Sequence, residues 1–163
     1  MKVLEEAAAR GIAYLEGLET RSVAPAPAAV AALESLDRPM PEASLPAEEV
    51  LAELDHIGSP ATVATAGRRF FGFVIGGSLP AALGANWLAG AWDQNSGLWV
   101  ASPIASQLEI VALRWLRELL GVDAHWGGAF VTGATMANFT ALAAGRHAVL
   151  ANAGWDVERD GLY

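Results

Sequence analysis

Residues 70–92, FFGFVIGGSLPAALGANWLAGAW, form a run of 23 residues without a charged side chain, and this run most constrains the fold. Such a length raises the possibility of a membrane span. Five glycines, a proline, a serine and an asparagine interrupt the run, and alanine rather than leucine fills it, so we exclude a span. The run instead predicts a short strand or loop at residues 70–75 and a helix starting at Leu79-Pro80. Burial of this helix inside one domain and burial at a subunit interface both remain open.

Composition and charge narrow the functional classes. The chain has 163 residues, 53% of them hydrophobic, and a net charge of −8 with no basic patch, so we exclude nucleic acid as a partner. The absence of cysteine excludes disulfides and thiolate metal sites. The three histidines, His56, His125 and His147, match no metal-ligand spacing, and we expect no metal. Because acidic residues interrupt the apolar pattern of the N-terminus, we predict no signal peptide and a cytoplasmic protein.

Apolar residues at helical spacing predict helices at residues 3–19, 47–57 and 102–120. The last of these is the clearest, since Ser102 and Pro103 are typical of an N-cap and a first helical position, and Gly121 follows the last turn. We expect the apolar face of the first helix to cover another element or another subunit. Residues 22–30, SVAPAPAAV, predict an extended spacer, and residues 153–163 predict a polar loop.

The stretch GGAFVTGATMANFTALAAGRH at residues 127–147 predicts a strand at 128–132, a turn of small residues, and a helix at 135–150. The first N–H groups of a helix are unpaired and carry a partial positive charge, so Gly133, Ala134 and Thr135 suit a phosphate without help from lysine or arginine. The same residues also suit a plain helix start, in which Thr132 or Thr135 caps its own helix. From the residues alone both interpretations stand, and the plain helix start is the commoner one.

Other catalytic signatures are missing from the sequence. It has no G-x-G-x-x-G, no G-K-[ST] and no G-x-S-x-G, which excludes the usual dinucleotide, P-loop and hydrolase motifs. Asp156 and Glu158 lie in the polar loop, and we predict that they are solvated rather than catalytic. For Asp93, between Trp92 and Gln94, we favour a structural hydrogen bond at a helix end or in a loop.

Three segments in a fixed order resemble a known family: RFFGFVIGGSLPAALGANWLAGAWDQN, SPIASQLEIVALRWLRELLG and GAFVTGATMANFTALAAGRH. They are similar to the N-terminal part of the pyridoxal-phosphate-dependent group II decarboxylases, the relatives of aromatic-amino-acid and glutamate decarboxylase. The resemblance implies an α/β fold of the type I, aminotransferase-like class, mostly helical in this part with few strands. It implies pyridoxal 5'-phosphate as the cofactor and a homodimer with its active site near the subunit interface. It also implies an N-terminal helical arm and linker at residues 1–66 and the start of the large cofactor-binding domain at residues 67–163.

The resemblance assigns the turn after the predicted strand to the cofactor phosphate. Backbone N–H groups of Gly133, Ala134 and Thr135, together with the Thr135 hydroxyl, are the implied donors. Met136 stands where many relatives have an acidic residue. That departure leaves the phosphate donors intact, but it leaves the substrate subtype undefined.

Two further loops resemble parts of the family's substrate site. The loop at residues 73–78 looks like the substrate-side loop, which implies a role for Phe73 and Gly76. The loop at residues 95–98 looks like the segment that reaches toward the neighbouring subunit's pocket, which implies a role for Asn95 and Leu98.

Lys2 is the only lysine in the chain. The chemistry of this family requires a lysine that condenses with the cofactor aldehyde, and in the family that lysine lies well downstream of the phosphate turn. We therefore expect the N-terminal part of an amino-acid decarboxylase, with no catalytic residue of its own, no activity alone and poor solubility in isolation. Two alternatives remain: another type I pyridoxal-phosphate enzyme, such as a carbon–carbon lyase or an aminotransferase, and a non-catalytic helical assembly protein.

Overall fold

Residues 1–162 are described by a computed structural model, and helices dominate them. The chain divides into two compact units, one at Met1–Leu88 and one from Ala89 onward. Within residues 1–162 there are seven α-helices and two short 3-10 turns, Leu33–Leu36 and Ser59–Ala61. The helices are α1 Lys2–Gly17, α2 Pro27–Ala32, α3 Ala47–Gly58, α4 Pro80–Trp92, α5 Pro103–Leu120, α6 Ala134–Asn152 and α7 Val157–Asp160.

Polar side chains join α1 to α3 and to the turn that follows α3 in the first unit. The Arg10 guanidinium donates to the Asp55 carboxylate, with Nη1 and Oδ2 2.8 Å apart. The Tyr14 hydroxyl lies 2.9 Å from the Thr62 hydroxyl. The Arg21 guanidinium lies over the Tyr14 ring, 4.7 Å from its centroid, and donates to the Ser59 carbonyl. The Arg10–Asp55 bond joins α1 to α3, and the Tyr14 and Arg21 contacts join α1 and the segment after it to the turn at residues 59–62.

Helix α5 in the second unit begins and ends as the sequence predicts. The Ser102 hydroxyl is fully buried and accepts a hydrogen bond from the Ala105 N–H at 3.4 Å, and Pro103 occupies the first helical position. Gly121 ends the helix in the left-handed conformation, with φ +65°. The Val122 N–H then donates to the Arg117 carbonyl at 3.0 Å, which satisfies a carbonyl of the last turn. The predicted helix at 102–120 is confirmed.

The prediction of a strand at residues 128–132 is wrong for this structure. Residues 127–131 are irregular. The family resemblance implies a few strands, but no β-strand occurs anywhere in residues 1–162. A strand needs hydrogen bonds from a neighbouring strand, and the described part of the chain supplies no partner. Residues 70–75 likewise form a loop, which is the second of the two forms predicted for them.

Two short helices lie where the sequence predicts irregular chain. The spacer predicted at residues 22–30 ends early, because α2 begins at Pro27, where the fixed φ of proline suits a first helical position. The polar loop predicted at residues 153–163 contains α7. Asp156 caps α7, since its Oδ1 accepts from the N–H groups of Glu158 at 3.0 Å and Arg159 at 3.2 Å.

Apolar side chains are widely exposed in residues 1–162. Only Ala64 and Ser102 are buried there, whereas Phe71 is 92% exposed and Trp87 is 44% exposed. The uncharged segment at residues 70–92 is therefore covered only in part, since the Trp87 ring lies beside Gly11 of α1 while most of its other apolar side chains stay exposed in the described part of the chain. Among these residues, no helix has both the length and the apolar character needed to cross a bilayer. The division between residues 66 and 67 stays a prediction.

Candidate functional site

The start of α6 has a backbone conformation that only glycine adopts readily. Gly133 precedes the helix with φ +155° and ψ +177°, a region that is closed to residues with a Cβ atom. The Gly133 carbonyl accepts from the Ala137 N–H at 3.0 Å, which is the first intrahelical bond. The N–H groups of Ala134, Thr135 and Met136 therefore have no acceptor within α6.

No side chain in the described part of the chain neutralises this helix end. The N-cap position makes no side-chain hydrogen bond, and neither Thr132 nor Thr135 caps the helix. The first turn of α6 contains no acidic residue, which is also true of α2, α4 and α5, whereas α1, α3 and α7 have one or two. The plain helix start, with a threonine as its own cap, does not form. The positive end of the α6 dipole is instead open to an external anion.

Met136 contributes a donor that the sequence analysis did not assign. Its N–H is the third unpaired donor of the turn, beside those of Ala134 and Thr135. The rule that the first residues of a helix lack intrahelical acceptors would have identified it. The Met136 side chain is 43% exposed, so the turn presents an apolar thioether next to its three N–H donors.

Asn95 and Leu98 lie in the same unit as this turn, in the loop between α4 and α5. The Asn95 side-chain oxygen accepts from the Gly97 N–H at 3.1 Å, a local turn bond that fixes the loop. The Leu98 carbonyl accepts from the N–H groups of Ala101 and Ser102, and its side chain is exposed. The Leu98 side chain is thus available for contact, whereas the Asn95 oxygen already has a partner.

Phe73 and Gly76 lie in the other unit, in the loop before α4. Phe73 and Val74 both have φ of +56°, and the Phe73 side chain projects into solvent. A β-branched residue such as Val74 pays a steric penalty at positive φ, which marks the loop as strained. Backbone strain of this kind is common at binding and catalytic sites, and the substrate-side role implied for the loop stays a prediction.

Asp93 and Asp156 both lie at helix ends. Asp93 directly follows α4 with φ +48°, and its N–H donates to the Ala89 carbonyl at 3.1 Å. Asp156 is the cap of α7. No cluster of three or more histidine, aspartate or glutamate side chains suited to a metal ion occurs within residues 1–162.

A known protein-family model matches the part of the sequence that contains this turn. The model of the pyridoxal-dependent decarboxylase conserved domain matches residues 30–155, which is most of the chain and includes the turn before α6. The chain belongs to the pyridoxal-dependent decarboxylase family. The resemblance derived from the three sequence segments is therefore confirmed.

Curated relatives in the decarboxylase family match only part of their own length. The chain is 32% identical to an aromatic-L-amino-acid decarboxylase of Bacillus atrophaeus over 114 residues, covering 70% of this chain and 22% of that protein. It is 31% identical to the aromatic-L-amino-acid decarboxylase of Cavia porcellus over 146 residues, covering 84% of this chain and 30% of that protein. It is 29% identical to tryptophan decarboxylase 1 of Oryza sativa over 127 residues, covering 71% and 25%. No solved structure matches the chain significantly.

The cofactor of the decarboxylase family is pyridoxal 5'-phosphate, and the turn before α6 fits its phosphate group. A phosphate needs several N–H donors, space close to the backbone and no competing carboxylate. The turn has unpaired N–H groups at residues 134–136, a glycine that leaves open space where a Cβ would stand, and no acidic residue in its helical turn. The donor set is therefore suited to an anion.

Proposed function

We propose that the protein that contains this chain is a pyridoxal-phosphate-dependent amino-acid decarboxylase and that residues 133–135 hold the cofactor phosphate. The observation that carries the proposal is the uncapped N-terminus of α6, preceded by a glycine-only conformation, within the matched family region. Names of the relatives favour an aromatic L-amino acid as the first substrate to test.

Each residue of the turn has a separate role in this proposal. The N–H groups of Ala134, Thr135 and Met136 donate to phosphate oxygens, and the Thr135 hydroxyl adds a further donor. Gly133 lets the phosphate approach the backbone because it has no side chain. The bound cofactor supplies an electron sink for the loss of the substrate carboxyl group as carbon dioxide.

We assign no residue of this chain a role in bond breaking at the substrate. Lys2 lies at the start of α1, is largely exposed and pairs with Glu6, with Nζ and Oε1 3.7 Å apart. Such a lysine is neither desolvated nor next to the phosphate turn in sequence, so it is a poor nucleophile for a cofactor aldehyde. We therefore propose that residues 1–163 alone do not decarboxylate amino acids.

The remaining site residues and the assembly belong to the same proposal. Phe73 and Gly76 take the role implied for the substrate-side loop. Leu98 takes the role implied for the segment that reaches toward a neighbouring subunit, and Asn95 orders the loop that carries Leu98. We propose the type I, aminotransferase-like fold, a homodimer whose interface covers exposed apolar surface such as that around Phe71 and Trp87, and a cytoplasmic location. The exposed apolar side chains support an interface because an extended apolar surface is otherwise unfavourable in water.

The test uses the full-length gene product and two threonines of the same helix. Thr135→Ala removes the proposed hydroxyl donor, whereas Thr140→Ala alters a second exposed threonine of α6 outside the turn. We expect Thr135→Ala to weaken pyridoxal 5'-phosphate binding about tenfold, as measured by absorbance titration, and Thr140→Ala to leave it within about twofold. Carbon dioxide release is then measured with aromatic L-amino acids.

The outcomes separate the proposed decarboxylase from its alternatives. Carbon dioxide release with cofactor binding at the turn supports a decarboxylase. Cofactor binding with transamination or carbon–carbon cleavage, and no carbon dioxide, would indicate another enzyme on the same fold. The absence of any cofactor binding by the full-length product would refute the proposal and favour a helical assembly protein.

A further inference from the structure

Helix α5 contacts the segment that leads into the phosphate turn through one face. Glu109, Leu113 and Arg117 are four residues apart, so they lie on the same side of the helix. Each of them contacts the chain between residues 124 and 130, a few residues before Gly133. This segment is irregular, so it has no secondary structure of its own to fix its course.

Arg117 makes the strongest of these contacts. Its Nη1 donates to the Ala124 carbonyl at 2.8 Å and to the Trp126 carbonyl at 2.9 Å, and the side chain is half-buried. One guanidinium nitrogen thus holds two carbonyls that are two residues apart, which fixes the bend of the chain between them. Arg117 also lies in the last turn of α5, where a cation is favoured by the helix dipole.

Leu113 and Glu109 extend the contact toward the turn. A Cβ at Gly128 would lie 3.3 Å from Leu113 Cδ2, so the segment passes α5 closely because Gly128 has no side chain. The Glu109 carboxylate accepts from the Phe130 N–H at 3.4 Å, a long and weak bond. Arg117 therefore provides most of the polar restraint, and Leu113 provides the packing.

We propose that Arg117 is a positioning residue for cofactor binding: it holds residues 124–126 on α5 and thereby orients the turn at residues 133–135 toward the phosphate. The inference rests on the phosphate role proposed for that turn. Without Arg117 the irregular segment is free to adopt many conformations, and the turn must be ordered at the moment of binding, which lowers affinity. As a positioning residue, Arg117 contacts neither the cofactor nor the substrate.

Arg114 offers a matched control on the same helix. It is one turn away, carries the same charge, is exposed, and makes no hydrogen bond or ion pair in the described part of the chain. The variants are Arg117→Met, Arg117→Lys and Arg114→Met in the full-length gene product. The readout is the ratio of the dissociation constants for pyridoxal and pyridoxal 5'-phosphate, because that ratio isolates recognition of the phosphate from recognition of the ring.

We expect Arg117→Met to lower the preference for pyridoxal 5'-phosphate over pyridoxal about fivefold to tenfold. Arg117→Lys keeps the charge but not the two-carbonyl geometry, so we expect an intermediate loss of about threefold. Arg114→Met should leave the preference unchanged. The rate of hydrogen exchange at residues 122–133 should rise in Arg117→Met and stay unchanged in Arg114→Met. If Arg117→Met does not fold, Arg117→Lys is used for the same comparison.

Failure of this inference differs from failure of the proposed function. If Thr135→Ala lowers the phosphate preference while both Arg117 variants keep the wild-type value, the phosphate turn stands and the positioning role is overturned. If Thr135→Ala also leaves the preference unchanged, the turn does not bind phosphate and both proposals fail. Equal losses in Arg117→Met and Arg114→Met would likewise overturn the positioning role, since a general effect of charge explains them.

Discussion

At the scale of single residues, Gly133 sets the conformation of the phosphate turn. Its φ of +155° is accessible to glycine and strained for alanine. We expect Gly133→Ala to reduce the free energy of unfolding of the full-length gene product by about 1–3 kcal/mol and to weaken pyridoxal 5'-phosphate binding. Urea unfolding and absorbance titration measure the two effects.

Gly145 provides the control for this glycine substitution. It lies inside α6, and a Cβ built there meets no atom within 4 Å. Gly145→Ala should therefore raise the free energy of unfolding by up to about 1 kcal/mol, because alanine favours a helix more than glycine does. If the two substitutions had the same effect, the special conformation of Gly133 would have no energetic importance.

Asp123 gives a residue-scale prediction about pH. The His125 N–H donates to Asp123 Oδ1 at 2.8 Å, and the His125 ring nitrogen lies 2.6 Å from the same oxygen. The backbone hydrogen bond first, and the side-chain hydrogen bond second, hold the pKa of the Asp123 carboxyl below its ordinary value. Its contribution to stability is thus fully present above pH ~3.9 and is lost as the pH falls through the lower pKa of the folded state.

Carbon-13 NMR of the Asp123 carboxyl carbon measures the pKa of this group directly. We expect a midpoint below the ordinary value of about 3.9, and the protection factors of the amides at residues 122–126, corrected for intrinsic exchange, should fall only below that midpoint. Asp123→Asn should remove the pH dependence of these protection factors that tracks the Asp123 midpoint. A carboxyl midpoint at or above the ordinary value would contradict the hydrogen bonds in this loop.

At the scale of elements, Ser102 is the cap on which the start of α5 depends. Its hydroxyl is fully buried and bonds to the Ala105 N–H. We expect Ser102→Ala to cost about 0.5–1 kcal/mol of unfolding free energy, toward the low end for a cap because the bond is 3.4 Å long. Ser106→Ala, inside the same helix, should change stability by less than about 0.5 kcal/mol. Thermal unfolding of both variants checks the difference.

Local signals explain which elements the sequence could predict. The bounds of α5 follow from Ser102, Pro103 and Gly121, since caps and stops depend on neighbouring residues alone. Pro27 and Asp156 are equally local signals for α2 and α7, but both helices are too short to show apolar periodicity. The strand at 128–132 could not be judged locally, because a strand forms only when a distant segment pairs with it.

The family was predictable from the sequence, whereas the geometry of the candidate site was predictable only in part. Small residues before an apolar helix suited both an anion site and a plain helix start at residues 133–135, and the order of three segments indicated the family, whose resemblance favoured the anion site. The glycine-only conformation of Gly133 and the lack of a threonine cap could not be read from composition, because Thr132 and Thr135 are both capable of capping. The contacts of Arg117 could not be read either, since they depend on how an irregular segment folds back on α5.

At the scale of the whole molecule, exposed apolar surface determines how the chain behaves in solution. Phe71, Leu79, Leu119 and Leu142 are each more than 70% exposed. We expect the isolated 163-residue chain to self-associate, because large apolar patches in water favour contact with one another. Light scattering after size-exclusion chromatography measures this, with the full-length gene product at the same concentration as the reference. A monodisperse, soluble monomer of the isolated chain would contradict the expectation.

The position of Lys2 has a practical consequence for labelling chemistry. Beyond this exposed residue at the first turn of α1, the chain contains no primary amine in a side chain. Among the side chains of this chain, amine-reactive reagents, including aldehydes fixed by borohydride, therefore have Lys2 as their target. A phosphate-bearing aldehyde that slows hydrogen exchange at residues 133–135 cannot form an imine with a side chain there. Mass spectrometry of a single sample would therefore distinguish reversible phosphate recognition at the turn from covalent attachment at Lys2.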